Sequence, residues 1–113
     1  MLFAEVEWVQ DFPATVNDDA LVDALEHVCQ ETGIRGIEIP QPFRWSEDFG
    51  HFAEVCPILH FGLGIGEHAA GLHQPDYAFC DDTILTAVSG FYEMAKSVLS
   101  GYGSRGENTA TGT

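Results

Sequence analysis

Lysine is almost missing from this chain: Lys96 stands alone, and with Arg35, Arg44 and Arg105 it makes four cations against eighteen Asp and Glu. The resulting charge of −14 repels polyanions, and so few cations release few counterions, which excludes nucleic acid and anionic membrane as partners. Such a balance suits a high-salt habitat or, more simply, a soluble acidic protein. A long apolar run is missing as well, and the opening MLFAEVEWVQ has no positive n-region, so a soluble, unexported, cytoplasmic chain is expected. No CxxC pair occurs. Cys29, Cys56 and Cys80 are odd in number and widely spaced, a pattern expected of buried thiols in a reducing compartment.

What is present is enough for a core. The chain has 113 residues, 45% of them apolar, with eight Phe, two Trp and three Tyr. A single domain of this size buries roughly two-thirds of the surface of its unfolded chain.

Local patterns then divide the sequence. LFAEVEWV, residues 2–9, sets Glu5 and Glu7 on one side and Ala4, Val6 and Trp8 on the other, the period of a half-buried strand. NDDALVDALEHVCQETG predicts an amphipathic helix: Asn17 is placed to cap it, Asp18 and Asp19 sit at its positive end, and Gly33 stops it. GIRGIEIP reads as a second strand. SEDFGHFAEV reads as a short helix capped by Ser46, with Gly50 costing about 1 kcal/mol relative to alanine. CPILHFGLGIG reads as a strand covered on both faces, its glycines marking a close approach near its end. Residues 67–80 read as loop. DDTILTAVSGFYEMAKSVLSG predicts a long helix that starts at Asp81 and Asp82 and has Lys96 in its last turn.

The fold class expected from this order is α/β: a small, at least partly parallel three-stranded sheet with three helices. Residues 102–113 are too poor in apolar groups to pack and are expected to form a disordered tail.

Three separated stretches carry a resemblance. ATVNDDALVDAL, SEDFGHFAEVCP, and FGLGIG followed by GLHQPDYAFCDD resemble, in order and spacing over residues 13–100, the C-terminal end of the dinuclear-metal amidohydrolases and peptidases. These include aminoacylases, auxin-conjugate hydrolases and glutamate carboxypeptidases. The resemblance implies a partial zinc-peptidase-like α/β domain over residues 13–101, and makes residues 1–12 similar to the last strand of that family's lid domain. It implies that His73, matching the histidine of the family's Leu-His motif, is a metal ligand for zinc or another divalent metal. It also implies that Glu47 and Asp48, matching a Glu-Asp-Phe turn, lie near the substrate. The family's other ligands and its general base come from an N-terminal half to which nothing here is similar.

Each of these residues has a plainer reading. Glu47 and Asp48 could serve only as acids at a helix N-terminus with Phe49 as core anchor, and capping would account for Asn17. His68 and His73, spaced H-x4-H beside Glu67, could be proposed as an independent metal pair, but nothing in AAGL fixes them on one side. His60 fits a core histidine; His27 and His51 fit helix surfaces. Cys56 and Cys80 lack basic neighbours that would make them nucleophiles, and Gly62, Gly64 and Gly66 do not form a dinucleotide fingerprint.

Catalytic zinc takes about three protein ligands and a water, so one imidazole is not expected to hold the metal tightly. The expectation is the C-terminal segment of a metal-dependent amidohydrolase or peptidase acting on N-acyl amino acids or peptides, inactive alone. The alternatives are a non-catalytic binding or assembly module and a subunit of a split amidohydrolase. Either way the small sheet's edges are expected to bring about a homo-oligomer or to bind a partner chain.

Overall fold

The computed structural model describes residues 2–9, 11–45 and 47–105, with side chains described up to Gly101. Three helical elements form: α1 (Asp19–Thr32), a 3-10 helix (Asp48–Glu54) and α2 (Thr83–Arg105). Among the described residues there is no strand. The expected three-stranded sheet is therefore corrected: residues 2–9, 34–39 and 57–66 have strand-like sequences but form no ladder with one another. A strand's stability comes from cross-strand pairs, and alternation alone supplies none.

α1 begins one residue later than its sequence suggests. Asp18, not Asn17, is the N-cap; its carboxylate accepts a hydrogen bond from the Leu21 amide at 3.1 Å. Gly33 ends the helix at φ 72°, a left-handed conformation that glycine adopts without penalty.

Asn17 is thereby released for a different task. Its side-chain NH2 donates to the His60 carbonyl at 2.9 Å, and its oxygen accepts from the His60 amide at 2.7 Å. One carboxamide thus satisfies both backbone groups of a residue 43 positions away, as a neighbouring strand would. The Asp18 amide donates to the Ile58 carbonyl at 2.9 Å, extending the seam.

Helix α2 closes the small core. It packs on α1, Ile34 reaches Gly90 of α2, and the Phe61 ring meets Phe91 with centroids 5.5 Å apart. Val28, Ile58 and Met94 are its buried apolar residues among those described. Gly50 is also buried: a Cβ there would lie 2.7 Å from the Pro13 carbonyl oxygen. The glycine that looks costly in a helix is what lets two backbones meet. Gly62 has a similar reason, because the Phe43 ring would lie 3.0 Å from its Cβ.

Several further expectations change. In place of the expected short helix over 46–55, a 3-10 helix covers Asp48–Glu54, and Ser46 lies outside the described residues. Cys56 is exposed and Cys29 and Cys80 are half-buried, so none is the buried thiol expected. Lys96 lies well inside α2, paired with Glu93 at 2.8 Å, because the helix runs on through Arg105. Asp81 and Asp82 form the turn just before α2. Of the expected tail, residues 102–105 have helical backbone, and 106–113 lie outside the described residues.

The segment 2–9 is the largest departure. Expected to be half-buried, its large apolar side chains are 71–102% exposed. The whole chain has an accessible surface of 10326 Å², whereas a compact monomer of 12.3 kDa exposes about 6,100 Å². Its radius of gyration of 19.5 Å exceeds the roughly 13 Å of a compact chain of this length.

Candidate functional site

His73 is carried by two consecutive turns. The Gln74 amide donates to the Gly71 carbonyl at 3.2 Å, closing the first, and the Tyr77 amide donates to the Gln74 carbonyl at 3.0 Å, closing the second. Pro75, with its fixed φ, suits the second position of that second turn. His73 occupies the third position of the first turn, with φ 65°. Among the described residues it is the one non-glycine residue with positive φ. Glycine or asparagine usually takes such a place, and a histidine there costs on the order of 1 kcal/mol. The sequence therefore holds an exposed imidazole at a backbone position where glycine would be more stable.

Glu47 precedes the 3-10 helix in extended conformation, φ −139° and ψ 140°, and its carboxylate makes no capping hydrogen bond. Glu47 occupies the N-cap position and Asp48 the first turn, as the plainer reading of two acids at a helix N-terminus expects. The Phe49 ring lies tilted against His60, centroids 5.0 Å apart, and against Phe52 at 5.5 Å. These contacts, with Gly50 against Pro13, tie the Glu47 segment to the Asn17 seam.

Among the described residues no hydrogen bond or ion pair joins His73 to Glu47 or Asp48. Among the described residues no group of three His, Cys, Asp or Glu could hold a metal ion. The donor set here thus does not fit a catalytic zinc, which takes about three protein ligands. His68 and His73 form no such group with Glu67.

Sequence reasoning missed the Asn17–His60 bond. The signal was present in Asn17-Asp18-Asp19, since one helix start needs one cap and a second capable side chain is left spare. An open groove of about 470 Å³ beside α2, lined by Thr32, Ile34, Leu85, Ser89 and Tyr92 among others, includes none of the predicted site residues.

Comparison with known proteins gives these features a family. The model of peptidase family M20/M25/M40 matches residues 3–97, so the chain belongs to that family, which is metal-dependent. It is 27% identical over 94 residues to an uncharacterized hydrolase of Staphylococcus saprophyticus, covering 80% of this chain and 24% of that protein. An uncharacterized hydrolase of Sinorhizobium fredii is 27% identical over 105 residues, 90% of this chain and 26% of its own length. The chain therefore spans about a quarter of the length of the curated relatives it matches. No solved structure matches it.

Proposed function

We propose that this chain is the C-terminal segment of the catalytic domain of a metal-dependent amidohydrolase or peptidase, acting in its intact form on N-acyl amino acids or peptides. The observation that carries the reading is the family match over residues 3–97, with an aligned span of about a quarter of the relatives' length. The motifs add to it. His73, held outward at a strained turn position, supplies one imidazole donor toward zinc or another divalent metal. Glu47 and Asp48, at the start of the 3-10 helix, would stand beside the substrate. The segments 34–39 and 57–66 become strands of a zinc-peptidase-like α/β sheet once neighbouring strands are supplied, with residues 2–9 as the end of a lid.

By itself the chain is silent. Among the described residues it offers no three-ligand group, and a hydrolase of this kind needs an oriented metal-bound water and a base to aim it. Among the described residues no helix is long and apolar enough to cross a membrane.

The test is an assay with N-acetyl amino acids and dipeptides in the presence of zinc, manganese or cobalt. The chain alone is expected to show no turnover above background. Metal-dependent hydrolysis abolished by His73→Gly, a substitution its turn accepts, would overturn the reading. Activity arising only with a second chain similar to the rest of the relatives would favour the split enzyme.

A further inference from the structure

We propose that Asn17 is a positioning residue for the turn that carries Glu47 and Asp48, acting on it through His60. The inference rests on the reading of that turn as lying beside the substrate. Segment 47–50 has two supports outside its own helix, and both are contacts without a hydrogen bond. The Phe49 ring lies against the His60 ring, centroids 5.0 Å apart with planes at 36°, and the buried Gly50 backbone lies against Pro13 and Ala14. Among the described residues no hydrogen bond or ion pair joins 47–56 to 13–18 or to 57–60; the amides of Val55 and Cys56 both donate to Phe52. The turn therefore goes where its two supports go. Glu47 follows it, because the half-buried carboxylate makes no capping hydrogen bond that would fix it independently.

The two supports come from distant parts of the sequence, and Asn17 holds one to the other. It stands just after Pro13 and Ala14 in the chain, and its carboxamide grips both backbone groups of His60, at 2.9 and 2.7 Å. A carboxamide suits this task because it carries a donor and an acceptor side by side. Helix α1 does not account for the residue, since Asp18 caps it. The Asp18 amide on the Ile58 carbonyl strengthens the same seam but leaves both backbone groups of His60 to Asn17. Asn17 thus sets where the His60 ring stands, that ring sets Phe49, and Phe49 is the residue next to Asp48. A purely structural Asn17 would stabilise the fold as a whole; a positioning Asn17 moves this turn in particular.

The test is amide NMR of the full chain labelled with nitrogen-15, in two variants that break this line of contacts at different points. Asn17→Ala removes both bonds to the His60 backbone, whereas His60→Ala keeps them and removes the ring beneath Phe49. Both are expected to displace the Glu47, Asp48 and Phe49 resonances while those of residues 96–99 in α2 stay in place. In Asn17→Ala the His60 amide should exchange about tenfold faster, having lost its acceptor. In His60→Ala the hydrogen-bonded Asn17 side-chain NH2 signal should persist, which shows that the turn moved without loss of the clamp. The double variant should displace residues 47–49 no further than the larger single one, because both substitutions act on one line. Unmoved Glu47–Phe49 resonances in His60→Ala would overturn the proposal, and this variant decides the matter even if Asn17→Ala does not fold. Displacement spread evenly over the turn and α2 would also overturn it, as would additive displacements in the double variant. None of these readouts involves hydrolysis, so failure here is distinct from failure of the enzymatic reading.

Discussion

Trp8 and Met94 are both large apolar residues, yet Trp8 is 88% exposed and Met94 is 8% exposed. The difference lies in what the chain itself can bring to each. Met94 belongs to α2, which packs on α1, while α1 is stitched to the segment 57–60 by Asn17 and Asp18. Trp8 belongs to an arm for which the described residues offer no pairing strand. Burial therefore follows contacts completed within the chain, and apolar pattern alone does not secure it.

That contrast can be broken or sharpened by substitution, with urea unfolding followed through the helical signal. The largest effect is expected at Gly50. Gly50→Val drives side-chain atoms into the Pro13 and Ala14 backbone and should cost about 3 kcal/mol. Asn17→Ala strips the His60 amide and carbonyl of their partner and should cost about 2 kcal/mol, the groups being only partly buried. Asp18→Ala removes the cap of α1 and should cost about 1 kcal/mol. Trp8→Ala should change stability by less than about 0.5 kcal/mol, despite removing the largest side chain of the arm. A Trp8 effect as large as that of Asn17 would mean that the arm is packed in solution and would erase the comparison.

The same contrast explains what was legible in the sequence. Both α-helices could be read because their determinants are local: acids at the helix start, Gly33 at the left-handed stop, apolar residues at helical spacing. Strands were legible only as propensity, since each needs a neighbour that local sequence does not specify. Asn17 was assigned to a cap because capping is a rule about adjacent residues, whereas its partner His60 is 43 positions away. Gly50 looked like a defect for the same reason, its justification being the Pro13 backbone. Of the site, the residues Glu47, Asp48 and His73 could be proposed from motifs, but the strained turn that holds His73 could not. A positive φ at a histidine follows from the two closed turns around Gln74 and leaves no compositional trace.

The central claim is that this chain holds one donor of a metal site and not the site. Elemental analysis of the purified chain, equilibrated with zinc and then dialysed, tests it most directly. The account predicts less than stoichiometric zinc, and no change on His73→Gly, because a single imidazole competing with water binds weakly. One tightly held zinc per chain, lost in His73→Gly, would contradict it.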